Sequence, residues 1–176
     1  VAESSATSGD IFMATKQISV ERFSITSAKP FSDVVKVLEA SVGHPNMNTF
    51  MNDVASAKSF KDLEKVVNAV TGATGLMQFM KFDLGEIVRK ERGDSAPRSL
   101  RYLIGNPLIM KQMLERSPDA GSYAPVTVLI DERPDGVRLS YDRMASFLAP
   151  YGNDEALKVA LDLDAKIETL LTKAAA

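Results

Sequence analysis

The stretch Val126–Tyr141, VTVLIDERPDGVRLSY, constrains the fold more than any other part of the chain. Val126, Val128 and Ile130 alternate along its first arm, Val137, Leu139 and Tyr141 along its second, and Pro134-Asp135-Gly136 lies between them. Alternation at a period of two puts one row of side chains on a buried face, and a proline–aspartate–glycine run supplies the backbone shapes of a tight turn. The chain must therefore contain an antiparallel hairpin. After the loop RMASFLAPYG, Asn153 or Asp154 caps a long final helix with an apolar stripe through Ala156, Ala160, Leu163, Ile167 and Leu170.

Upstream, Gln17 to Ser27 reads as a strand whose inward phase shifts from Ile18 and Val20 to Phe23 and Ile25. Phe31, Val34, Val35, Leu38 and Val42 then recur at helical spacing behind Pro30. GHPNMN breaks the chain, Thr49 to Ala57 forms a short helix, and Ser59-x-x-Asp62 opens another with the stripe Phe60, Leu63, Val66, Val67 and Val70. LMQFMKFD is apolar on both alternating faces, as expected of an interior strand, with Lys81 and Asp83 sharing one face at its end. EIVRKERGDSAPRS reads as an exposed charged connection, and Leu100 to Ile104 as a short strand. Gly105-Asn106-Pro107 turns that strand into a helix over Leu108–Arg116, with Asn106 as the cap.

The resulting order has too few strand–helix alternations for a doubly wound sheet. It predicts one α+β domain over residues 14–174: an antiparallel-rich mixed sheet packed by amphipathic helices, with a long C-terminal helix. Residues 1–13 read as an extension or tail without the apolar stretch of a secretory signal. Whether they are an upstream segment, a processed end or a remnant before Met13 stays open, and the expected location is the cytoplasm.

Cysteine is absent and histidine occurs once, which removes thiol chemistry and leaves only His44 for a triad or metal site. With carboxylates as its only further ligands, His44 makes a poor zinc site, so no metal and no cofactor is expected. The near balance of 21 basic and 23 acidic residues gives no footprint for nucleic acid or an anionic membrane. No apolar run reaches the roughly 18 residues of a spanning helix. GATG precedes a strand instead of opening a helix, so neither a P-loop nor a dinucleotide fingerprint is present.

Several polar residues remain. Asp164 falls at the edge of the final helix's apolar face, whereas Asp162 points to solvent. A carboxylate there must be paired, hydrogen-bonded or protonated, with Lys81, Arg101, Tyr123, Tyr141 and Arg143 as available partners. It is either a structural tie between helix and sheet or a pocket acid. Lys81 and Asp83 form a surface pair or a pocket pair, Asn106 a plain cap or an anion site, and Tyr123 and Tyr141 a pocket rim or a dimer face. Asp142 and Arg143 follow directly on the hairpin. The methionines, Met77, Met80, Met110 and Met113 among them, read as gap-filling core rather than a ligand surface.

The segments FDLG, YLIGNPLIMKQML, SYAPVTVLIDERPDGVRLSYDR and LDLDAKIETLL together resemble the family called domain of unknown function 302, over roughly Phe31–Leu171. The resemblance implies an α+β domain, often dimeric, with no established reaction. Some relatives resemble a cysteine version of the turn where Gly105 stands here, and others place a histidine after the acidic residue where Asp83 is followed by Leu84. The leading expectation is a homodimeric module binding a small molecule or partner through Lys81, Asp83, Asn106, Tyr123, Tyr141, Asp142, Arg143 and Asp164. The alternative is a small isomerase- or lyase-like enzyme with Asp164 or Asp83 as base and Lys81 or Tyr141 stabilising charge.

Overall fold

In the computed structural model, which describes residues 13–176, the hairpin forms as β4 (Val126–Arg133) and β5 (Gly136–Asp142). Gly136 turns it with φ of 133°, a backbone shape that a side chain would strain. β1 (Arg22–Ser27) pairs antiparallel with β5, while β3 (Ser99–Gly105) and β2 (Met77–Asp83) continue on the other side of β4. The order is β1-β5-β4-β3-β2, all antiparallel, with one isolated parallel bridge from Gly43 to Met77. The expected tail lies outside the described residues except for Met13.

One sheet face is apolar in β1, β5, β4 and β3 and ends on the charged Lys81 and Asp83 of the edge strand β2. Phe23, Tyr141, Val128, Tyr102 and Lys81 form one cross-strand row, and Ile25, Leu139, Ile130, Leu100 and Asp83 the next. Against this face pack α1 (Phe31–Ser41), α5 (Pro107–Leu114), α6 (Met144–Leu148) and α7 (Asp154–Ala175). The α7 stripe is buried as its spacing predicts, and Asn153 caps the helix by accepting from Ala156 N at 2.9 Å. The opposite face carries Arg101, Thr127, Met80 and Phe82 exposed to solvent. The molecule therefore has two layers and one bare sheet face, and it is a single α+β domain.

A second, smaller apolar cluster joins α2 (Met47–Ser56) and α3 (Phe60–Val70) to Met77 at the start of β2. Its helices begin at side-chain caps: Asn46 accepts from Thr49 N at 3.0 Å and Ser59 from Asp62 N at 3.2 Å. Gly43 and Gly72 let the two clusters meet. A Cβ on Gly43 would stand 1.8 Å from the Val70 carbonyl oxygen, so only glycine permits this crossing.

Four local expectations are corrected. The first strand begins at Arg22, because β5 ends at Asp142 and offers Ile18 and Val20 no partner. β2 is an edge strand whose exposed Met80 and Phe82 face the bare side, not an interior strand. The charged connection begins with a helix, α4 (Leu84–Arg92), started by Asp83 accepting from Glu86 N at 2.9 Å, with its apolar Leu84, Ile87 and Val88 left exposed. The RMASFLAPYG loop contains α6, whose cap comes from α7.

Candidate functional site

Three constellations collect the polar and cavity-lining residues. The first is a cavity of about 520 Å³ at the end of the sheet, walled by α2, α3, α5 and the neighbouring ends of β2, β3 and β4. Its lining is mostly apolar and includes Phe50, Met51, Val54, Leu63, Phe79, Met110, Met113, Leu114, Pro125, Val126 and Leu163. α5 forms one wall because Asn106 starts it there. Its Oδ1 accepts from Leu108 N and its Nδ2 donates to the Gly75 carbonyl, both at 2.8 Å. Gly105 leaves the floor open: a Cβ at that position would stand 3.2 Å from Pro125 Cβ and 3.6 Å from Phe79 Cε2. At the mouth, Lys111 pairs with Glu115 at 2.6 Å, and its ammonium stands 4.7 Å from the centre of the Phe60 ring.

The second is a charged cleft of about 510 Å³ where the ends of β2 and β3 meet α4 and the start of α1. Lys81 and Asp83 both line it, but each has another partner. Lys81 Nζ donates to Glu39 Oε1 at 2.7 Å, and Tyr102 OH donates to the same oxygen at 2.9 Å. Burial works to raise the Glu39 pKa, yet the bonds from Lys81 and Tyr102 outweigh it and hold the carboxyl below its usual range. Asp83 behaves alike: desolvation raises, while Arg89 and the Glu86 amide lower it further. Arg98 lies over the Phe31 ring and binds Glu132, whose carboxyl the Arg98 hydrogen bond lowers.

The third is closed. Asp164 is fully buried, and three donors reach its carboxylate: Tyr141 OH at 2.5 Å, Met144 N at 2.8 Å and Ala145 N at 3.0 Å. The two amides are the first of α6, so an acid of α7 caps a helix some twenty residues away in sequence. Arg143 Nε stands 3.8 Å from Asp164 and 3.0 Å from Glu168. Burial, then the bond to Asp164, pushes the Tyr141 hydroxyl far up, so it stays a neutral donor.

The sequence candidates thus divide. Tyr141, Arg143 and Asp164 meet in the closed cluster, Lys81 and Asp83 in the cleft, and Asn106 in the cavity wall. Tyr123 stands apart from the others, stacked on Phe147 at 4.6 Å with its hydroxyl 2.8 Å from that of Tyr151. Asp142 binds Arg22 at 2.6 Å at the sheet's β1 edge. Asp164 is bonded to Tyr141 of β5, whereas Asp83 lies on β2, three strands further across the sheet, and the two do not share a site. Sequence reasoning missed the cavity's Phe50, Val54 and Leu63, because such residues read as core. It also missed Glu39, although a carboxylate near the end of an apolar helix face was a usable signal.

The family model described as Domain of unknown function DUF302 matches residues 52–174. The chain belongs to this family. All three constellations draw on the part matched to DUF302, while α1 adds Glu39 and Phe31, and the start of α2 adds Phe50 and Met51, from outside it. The crystal structure of an uncharacterized conserved DUF302 protein from Bacillus stearothermophilus is similar, with a TM-score of 0.61 and 9% identity. The match covers 87% of this chain and 97% of that one, and at this identity it shows the DUF302 fold alone. No curated protein matches the sequence. In this DUF302 chain, no three His, Asp or Glu residues are placed to hold a metal ion among the described residues. Nor is any described helix long and apolar enough to cross a membrane.

Proposed function

We propose that the protein is a small-molecule-binding module whose ligand enters the apolar cavity between α2, α3 and α5. One observation carries this reading: a concave space of about 520 Å³ walled by apolar side chains from six separate elements. Ligand sites are typically of this size and character, with few polar groups to fix orientation. Met51, Met110 and Met113 give the wall adaptable surface. A catalytic reading has less support. The lowered pKa of Asp83 makes it a weak base, Asp164 is enclosed by its donors, and Tyr102 and Tyr141 are held neutral.

Titration with the uncharged dye Nile red tests the reading. The expected result is saturable, blue-shifted emission, weakened at least about ten-fold by Val54→Phe, which fills the cavity without lowering the melting temperature. Absence of saturable binding, or equal binding by the filled variant, would overturn it.

We further propose that a second copy of the chain covers the bare sheet face. Met80 and Phe82 are 47% and 39% exposed there, among Arg22, Arg101, Arg138, Asp131 and Asp142, a mixture of signs that a two-fold copy can complement. Sedimentation should then give a dimer that Phe82→Glu dissociates. A wild-type monomer at high concentration would refute the arrangement.

A further inference from the structure

Taking the cavity as the binding site, we infer that its ligand is a single-chain carboxylate, with the hydrocarbon inside and the head group on Lys111 at the mouth. The wall dictates the chemistry of the buried part. Asn106 is the polar side chain within it, and each end of its amide already holds one bond, to Leu108 N and to the Gly75 carbonyl, which leaves at most one N–H and one lone pair free. Polar groups carried along the rest of this wall would lose their hydration without matching partners, so the enclosed portion is mainly hydrocarbon. Eight residues of α5 run beside it, a wall of about 12 Å, which suits an unbranched chain of medium length.

The mouth dictates the head. Its two charged side chains, Lys111 on α5 and Glu115 at the helix's C-terminal cap, lie one turn apart and bind each other at 2.6 Å. Glu115 is the more exposed, 53% against 39% for Lys111, and Lys111 is its one side-chain partner among the described residues. Lys111 is also held by the face of Phe60 from α3. An incoming carboxylate can therefore replace Glu115, which swings into water, while Lys111 keeps its place. A cationic head would have to displace the anchored partner and would meet Lys111 as a like charge. The order of preference follows: carboxylate, then neutral alcohol, then amine.

Competition against bound Nile red tests this with decanoate, decanol and decylamine below their micellar concentrations. Decanoate should displace the dye at concentrations about five-fold lower than decanol, the upper range for one exposed ion pair. Octanoate should be weaker than decanoate by roughly four-fold for each methylene lost. Lys111→Gln, checked for an unchanged melting temperature, should bring the decanoate-to-decanol ratio to one, and Lys111→Arg should restore it. Equal displacement by all three head groups, or a ratio that survives Lys111→Gln, would overturn the inference while leaving the cavity reading intact. Failure of Nile red to bind the wild type would remove the cavity reading itself, and this inference with it.

Discussion

Replacing Asp164 by alanine is the sharpest test of how α7 is joined to the rest of the molecule. The side chain has no solvent exposure and accepts from Tyr141 OH, Met144 N and Ala145 N. The truncation strands three buried donors at once. Each unsatisfied donor costs about 1–3 kcal/mol, so three at the lower to middle of that range give about 3–6 kcal/mol. Against a typical domain stability of about 5–15 kcal/mol, the variant would stand near unfolding at room temperature. Tyr141→Phe strands no backbone amide and should cost only about 1–2 kcal/mol. Urea denaturation measures both, with the midpoint shifting while the slope with denaturant holds. Asp164→Asn, which keeps the shape and one acceptor oxygen, should fall between them and retain Nile red binding when folded, because Leu163 and not Asp164 lines the cavity. An Asp164→Ala loss under about 1 kcal/mol, or a Tyr141→Phe loss as large as that of Asp164→Ala, would refute the reasoning.

Two further outcomes follow from the structure. Glu39 has a lowered pKa in the folded state, so its contribution is present above its unfolded value of 4.5 and is lost as pH falls through the lower folded value. Glu39→Gln should therefore flatten the decline of melting temperature on acidification below that value, whereas parallel curves for the two proteins would show that Lys81 and Tyr102 do not hold the carboxylate. Gly43→Ala should lower stability by roughly 3 kcal/mol, the upper part of the range for overpacking, because its Cβ would collide with the Val70 carbonyl. A normal melting temperature for that variant would mean that the segment at Gly43 and the end of α3 do not cross as closely as described.

The parts legible in the sequence are those whose causes are local. The hairpin, the Asn106 and Ser59 caps and the α7 stripe each rest on residues within a turn or two of one another. α4 was masked by the density of charge around it; its local signals were the Asp83-x-x-Glu86 capping pattern and a short stripe, Leu84, Ile87 and Val88, that the structure leaves exposed. α6 was hidden for a different reason. Its amides are satisfied by Asp164, and no periodicity in five residues reports a partner that arrives from another helix. The bare face misled through Met80 and Phe82, which have the composition of an interior strand but face solvent. For the cavity the obstacle is sharper still. Met113 is wholly buried and Met110 partly so, both line the space, and nothing in their spacing separates a wall from a filled core.

The pairing of β1 with β5 sets an order of events during synthesis. Arg22 leaves the ribosome 120 residues before its partner Asp142. At about 5–20 residues per second, that is an interval of roughly 6–24 seconds. The β2–β3 and β4–β5 hairpins can close meanwhile, since their strands are neighbours in the chain. Throughout this wait the early strand shows Phe23 and Ile25 on one side, and Arg22, Ser24 and Thr26 on the other. That polar side, with its charge, discourages the waiting edge from joining another nascent chain before its own last strand has been made.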